Sequence, residues 1–223
     1  KASASAFLRP DAASCSPFSR AFSEVPMPIP QKRRPKSEKT RRRIYDAATS
    51  LLKERPYEHI TVRDIVQRAG VATGTFYIYF PSKLSVYFEV YRYTDRYFSE
   101  VVRKKLTQTD IEERILAFFQ AVADNIVEFF GMELTRLMFS PNNHIVAPCL
   151  NSYETVRILR DILAQGAETG WLPPHTNIDD AVLRLMIGAR GAILHWCMCN
   201  GDHDLADSMK NCVTLMLAGL RKS

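Results

Sequence analysis

Between residues 44 and 52 the apolar side chains Ile44, Ala47, Ala48, Leu51 and Leu52 recur in steps of three and four, the spacing of one helix face. They predict a first helix whose amino-terminal part is the run 32–43. The same period returns at Val62, Ile65, Val66 and Ala69. Thr61, with Asp64 three residues later, forms a capping-box variant before that face, and Gly70 supplies the left-handed conformation at its end. Val71 is placed to pack beneath the turn. A third, short helix is expected over 73–80, anchored by Phe76 and Phe80 at i and i+4 and stopped by Pro81. Ser82 then caps a long fourth helix, to about residue 105, that buries Leu84, Tyr87, Phe88 and Tyr91.

The carboxy-terminal half continues in the same period. A helix over 111–130 offers Ile115, Phe118, Phe119, Val122, Ile126, Phe129 and Phe130, more apolar width than one seam needs, which suits both a bundle core and the wall of a ligand cavity. The stretch LMFSPNNHIVAPCLNSY breaks the pattern, and a pocket mouth is expected near Pro141 to Pro148. Helical spacing resumes over 153–165 before GAETGWLPP marks a connection. The last two helices, over 177–199 and 202–221, carry seams Val182, Leu185, Met186, Ala189 and Leu205, Met209, Cys212, Met216, Leu220. With Gly188, Ala189, Gly191 and Ala192 allowing close approach, they fit a self-complementary four-helix interface between two copies. No period-two alternation appears, so the expected fold class is all-α.

Composition sharpens this picture at the ends. Residues 1–31 are rich in Ala, Ser and Pro without apolar periodicity and are read as a disordered extension. Met27 stands just before the first ordered-looking segment, so a native chain lacking residues 1–26 is an expectation that an intact mass tests. KASASAFLRP has no apolar run of the kind a secretory signal needs. The longest uncharged run, Leu137 to Tyr153, contains two prolines and three asparagines in 17 residues, so no membrane span is expected there. Five cysteines, odd in number and irregularly spaced, argue against a disulfide framework and for a reducing cytoplasm.

Charge is distributed unevenly. The net charge of +6 divides into 21 Lys/Arg against 10 Asp/Glu in residues 1–109, and nine against 14 thereafter. Eight of the cations fall within 32–43, Lys39 and Arg43 among them, where they oppose the helix dipole. A polyanion at that end is the natural partner, nucleic acid the first candidate and an anionic membrane the second. The third helix is about two turns long, and its outer face carries Thr75, Tyr77, Ile78 and Tyr79, rich in hydroxyls and short of charge. Two short helices across a tight Gly-containing turn, the second presenting such a face, are the parts of a helix-turn-helix whose second helix enters the DNA major groove.

These residues resemble the DNA-binding domain of the TetR family of bacterial transcriptional repressors: Thr61-Val62, Ile65, Ala69-Gly70-Val71, Gly74-Thr75-Phe76-Tyr77, Tyr79-Phe80 and Ser82-Lys83 match its pattern over roughly residues 38–90. The resemblance implies an Ω-shaped homodimer, its first three helices on a palindromic operator of double-stranded DNA, its fourth a connector, and its remaining helices a ligand and dimerisation domain. The division is then a 1–31 extension, a 32–83 helix-turn-helix domain and an 84–223 ligand-binding and dimerisation domain. By resemblance Thr61, Thr75, Tyr77, Tyr79 and Lys83 contact phosphates, Gly74 sits where close approach is needed, and Ile78 faces bases. Val66, Pro56 and Ala72 depart from the pattern. Because Ala72 stands where a serine usually caps the third helix, Thr73, also counted among the DNA-contacting residues, is expected to take over the cap.

An apolar or amphipathic small molecule is the expected effector, held by Phe118, Phe119, Val122, Ile126, Met138, Tyr153 and Met186. Two alternatives are a ligand-independent architectural DNA binder and a thiol- or metal-sensing regulator. The tempting constellation for the latter is HWCMCNGDH, with His195, Cys197, Cys199 and His203. Residues at i and i+2 diverge by about 200° on a helix, so Cys197 and Cys199 are not expected to share one ion, and no metal is assigned. No G-x-S-x-G, phosphate loop, dinucleotide loop or zinc-hydrolase motif is present, so neither catalytic residue nor cofactor is assigned.

Overall fold

The computed structural model describes residues 35–139 and 153–221, with the side chains of Pro35, Lys36 and Tyr153 outside that description, and every regular element among them is helical. Helix α1 (Pro35–Glu54) buries Ile44, Ala47, Ala48, Leu51 and Leu52 as its spacing demanded, and adds Tyr45. A 3₁₀ turn at Tyr57–His59 leads to α2 (Val62–Ala69), which the Thr61/Asp64 capping box opens and Gly70 closes at φ +61°. The Val71 amide bonds back to the Val66 carbonyl at 3.0 Å, completing the tight turn into α3 (Thr73–Tyr79). Phe76 and Phe80 are buried beneath α3 with ring centroids 5.9 Å apart. The reciprocal bonds of Ser82 and Ser85 open α4 (Lys83–Tyr87), which passes through Phe88 into α5 (Glu89–Tyr97). A π-helical turn at Phe98–Val102 and the short α6 (Arg103–Lys105) complete the connector.

Beyond the connector, α7 (Ile111–Asp124) passes through a second π-helical turn, Asn125–Phe130, into α8 (Gly131–Phe139). Then follow α9 (Tyr153–Glu168), α10 (Ile178–Met198) and α11 (Leu205–Leu220). Asp110, Asn177 and Asp204 each accept the third amide of the helix they open, so α7, α10 and α11 start where a short polar side chain permits. The described residues belong to one compact unit, and its core runs from α1 through the connector into the carboxy-terminal bundle. The extension over 1–31 and the pocket mouth expected near Pro141 to Pro148 lie outside the described residues.

One expectation changes. The seams assigned to a dimer face are largely the protomer's own core: Val182, Leu185, Met186 and Ala189 of α10 and Leu205 and Met209 of α11 are buried within one chain. Gly188 serves this internal contact, since a Cβ there would collide with Met216 Sδ. The apolar side chains left outward are Ile187, Leu194 and Met198 of α10 and Leu215 of α11, with Gly191 open beside them. Two helical stretches, Ile111–Phe139 and Ile178–Met198, are also long and apolar enough to cross a bilayer by length and composition. Their faces carrying Phe118, Phe119 and Ala123, and Val182, Leu185 and Ile193, are buried inside the bundle.

Candidate nucleic-acid interface and effector cavity

The outer face of α3 is an apolar and phenolic surface turned to solvent on a buried aromatic base. Ile78 is 79% exposed and Tyr77 54%, while Phe76 directly beneath is fully buried and meets the Tyr77 ring edge-on at 5.2 Å. Tyr79 is half-buried against the core, so only part of it faces outward. Thr75 is half-buried, and Thr73 and Gly74 are exposed. No atom lies within 4 Å of where a Cβ would stand on Gly74, so internal packing does not ask for glycine there. The cap expected from Thr73 is not formed: α3 begins at Thr73, the capping position is Ala72, and no side chain accepts its first amides.

The remaining predicted contacts are partly committed to structure. Thr61 donates its hydroxyl to Asp64 Oδ2 at 2.7 Å and accepts the Asp64 amide at 3.2 Å. The Thr61 hydroxyl, the Thr61 amide donating to the same oxygen at 2.8 Å, and Arg55 at 2.9 Å hold the Asp64 carboxyl below the usual carboxylate range. The Arg43 guanidinium caps the end of α2, donating to the Ala69 carbonyl at 2.5 Å and the Gly70 carbonyl at 3.2 Å. The Lys83 ammonium turns inward, donating to the carbonyls of Tyr57 at 2.8 Å and Ile60 at 2.7 Å while lying 3.8 Å from the Tyr57 ring centre. Burial lowers its pKa, and one N–H is left over for anything outside. Lys39 is exposed.

A residue that pattern reading passed over, Glu89, ties this head to the connector. Its buried carboxylate on α5 pairs with Arg41 of α1 at 2.6 Å and with Arg92, whose guanidinium also reaches Glu38 of α1. Arg41 donates further to the Tyr79 carbonyl at 3.1 Å and lies 4.5 Å from the Phe80 ring centre, so one cation grips α1, α3 and α5 together. Part of the basic run at α1 is therefore internal fastening.

The same connector walls a narrow cavity of about 60 Å³ between α5, α7, α9 and α10. Of the seven expected effector residues, Val122, Ile126 and Met186 line it. Phe118, Phe119 and Met138 are instead fully buried packing, with the Phe118 and Phe119 rings 5.0 Å apart; the side chain of Tyr153 lies outside the described residues. The polar wall was not anticipated: Thr94, Asn125, Thr155 and Arg190, with Thr94 Oγ1 donating to Asn125 Oδ1 at 3.3 Å. Burial lowers the pKa of Arg190. Its sequence signal was available, since it is the lone charge between Met186 and Leu194 on α10. Both π-helical turns open onto this space, through Phe98 on one and Asn125, Ile126 and Phe130 on the other.

Residues 44–90 match the family model described as bacterial regulatory proteins of the tetR family. Over 186 residues the chain is 24% identical to the fatty acid metabolism regulator protein of Bacillus subtilis, covering 79% of this chain and 93% of that one. It is 25% identical over 175 residues to the HTH-type transcriptional repressor KstR of Mycolicibacterium smegmatis, covering 67% and 85%. The fold superposes on the transcriptional regulator FadR from Bacillus subtilis in complex with stearoyl-CoA with a TM-score of 0.66, at 20% identity and over 80% of this chain and 98% of that one.

Proposed function

Because the chain belongs to the tetR family of bacterial regulatory proteins, we propose that it is a one-component cytoplasmic repressor released by an amphipathic acyl ligand. Two copies, joined through the outward apolar side chains of the last two helices, set two α3 helices about one DNA turn, roughly 34–36 Å, apart on a palindromic operator. Residues 32–83 form the reading head and residues 84–223 the effector and dimerisation body. The observation that carries the reading is the exposed outer face of α3 on its buried Phe76 base: Ile78 meets base edges, while Tyr77, Thr75, Thr73, Thr61 and the remaining N–H of Lys83 contact phosphates. Gly74 lets the backbone approach, and Lys39 adds phosphate contact from α1.

The effector class follows from the wall of the cavity. Tyr91, Phe98, Val122, Ile126, Phe130, Met186 and Ile193 suit an alkyl chain, and Arg190 with Thr94, Asn125 and Thr155 suits an acyl or phosphate oxygen. The fold's likeness to a regulator solved with stearoyl-CoA supports an acyl thioester. Ligand sites usually offer about 300–1,000 Å³, so a cavity of about 60 Å³ has to widen as a chain enters. Widening pushes on α5, and the Glu89 pairs carry that displacement to α1 and the reading head.

The test is binding of the purified full chain to its own promoter region against random DNA of equal length, across a salt series, with and without long-chain acyl-CoA. A specific advantage that falls steeply with salt and collapses on adding acyl-CoA is expected. Equal affinity for both fragments points to an architectural binder and sinks the repressor reading. Specific binding indifferent to acyl-CoA leaves the repressor and removes the acyl effector.

A further inference from the structure

At the corner between α10 and α11 three side chains with soft or borderline donor atoms converge. The last turn of α10 carries His195, and Cys199 at its C-cap stands four residues on along the same side, with His195 Nε2 3.6 Å from Cys199 Sγ. The chain then reverses through Asn200 at φ +55° and Gly201 at φ +72°, which returns His203 over the same face, its ring centre 5.2 Å from that of His195. One ligand atom from each of the three residues lies within 4.8 Å of the other two. Cys197, two residues before Cys199, is buried on another side of the helix, as helical rotation requires.

We propose that His195, Cys199 and His203 form a binding site for a borderline-soft divalent cation, with Zn²⁺ the best chemical match. Two imidazoles and a thiolate favour zinc and its first-row neighbours over Mg²⁺ or Ca²⁺, which take oxygen ligands. Bonds of about 2.05 Å to nitrogen and about 2.3 Å to sulfur at a tetrahedral angle place N and S roughly 3.5 Å apart. The 3.6 Å between His195 Nε2 and Cys199 Sγ already fits such an edge, and His203 has to close by no more than about 1.3 Å. His203 Nδ1 lies 2.7 Å from Asp202 Oδ1. A carboxylate only accepts, so Nδ1 holds the proton there, which fixes the ring and leaves Nε2 as the nitrogen with a free lone pair. The opposite nitrogen, Nε2, is buried and makes no hydrogen bond among the described residues.

The corner is held from outside as well. Arg136 of α8 donates to the Cys197 carbonyl at 3.3 Å and to Asn200 Oδ1, and a Cβ on Gly201 would meet Met132 Cε at 2.9 Å. A cation there staples the joint of the two helices whose outer faces carry the exposed apolar residues. Solvent takes the fourth position.

The experiment is titration of untagged, metal-free, reduced full-length protein with Co²⁺, followed by displacement with Zn²⁺. One Co²⁺ per chain with the visible bands of tetrahedral cobalt and a thiolate charge-transfer band is expected. Cys199→Ser should lose the charge-transfer band, and His195→Gln, whose side chain is exposed, should bind at least tenfold more weakly while remaining folded. Asp202→Asn, which removes no ligand, should weaken binding by roughly 10- to 100-fold; Cys212→Ser should bind as the parent does. The proposal fails if the parent binds no stoichiometric Co²⁺, if Cys199→Ser keeps the charge-transfer band, or if folded His195→Gln titrates as the parent does.

Discussion

At the residue scale, neighbouring side chains on one short helix have separable tasks. Ile78 is 79% exposed and carries no hydrogen-bonding group, so in the proposed DNA complex it is assigned to base edges and methyl groups. Ile78→Ala is therefore expected to reorder affinity among operator variants, measured by competition binding against a library of half-sites. Tyr77 holds its ring on Phe76 and offers only its hydroxyl, so Tyr77→Phe keeps the packing and removes one neutral hydrogen bond. Such a bond is worth about 0.5–1.5 kcal/mol, so affinity should fall roughly two- to tenfold on every sequence alike; a sequence-dependent loss would mean that the hydroxyl reads bases. Arg190 belongs to the cavity and not to the head. Arg190→Met should leave operator binding intact while raising the acyl-CoA concentration needed for release by roughly 10- to 150-fold, a charge-assisted bond being worth about 1.5–3 kcal/mol. Unchanged release would remove Arg190 from the effector site.

At the scale of the elements, the turn between α2 and α3 depends on Gly70 for two reasons. Its φ of +61° is one that a side chain resists, and a Cβ would stand 3.1 Å from the Arg43 guanidinium that caps α2. Gly70→Ala should cost about 1–2 kcal/mol, lowering Tm by roughly 2–8 °C in scanning calorimetry. The head is also expected to be sensitive to alkali. Tyr45 and Tyr87 have pKa values raised chiefly by burial, and Tyr87 donates to the Ala48 carbonyl at 3.2 Å. Each is neutral in the folded state at a pH where the unfolded chain ionises, so the stability involved is present below pH 10 or so and is lost as pH rises further. Tm should drop between about pH 9 and about pH 11, and Tyr87→Phe should flatten the drop.

The helices themselves were legible because each leaves a local trace. The stripe of α1, the Thr61/Asp64 box, Gly70 and Ser82 all act within four residues. What the sequence left open was which face meets which neighbour. Val182 and Met209 read equally well as a seam between copies and as the protomer core they are. Arg43 and Lys83 read as free cations, although carbonyls distant in sequence claim them. The convergence of His195, Cys199 and His203 depends on a reversal at Asn200 and Gly201 whose direction periodicity does not encode.

At the scale of the whole molecule, the connector has one fastening at its start and one wall of the cavity along its length. Glu89 binds α5 to α1 through Arg41 and Arg92, while Tyr91, Thr94 and Phe98 face the cavity from the same helix and the turn after it. If this is how the effector acts, coupling between the two sites passes through Glu89, and linkage makes the coupling reciprocal: operator DNA must lower effector affinity by the same factor by which effector lowers operator affinity, typically about 5- to 150-fold. Removing one partner of a buried charge pair is costly, about 3–5 kcal/mol, because it strands the other charge. Glu89→Gln keeps one acceptor for the arginines but loses the charge, and Arg92→Gln, at the more exposed end of the network, is the milder companion. Both variants are expected to bind acyl-CoA in the absence of DNA as the parent does, with the coupling factor moving toward one when measured from either side. Calorimetric titration of effector with and without operator, set beside operator titration with and without effector, gives that factor twice. Full coupling in a folded Arg92→Gln protein would place the transmission elsewhere, in the contacts of Tyr91 and Phe130, whose rings lie 6.3 Å apart across the cavity wall.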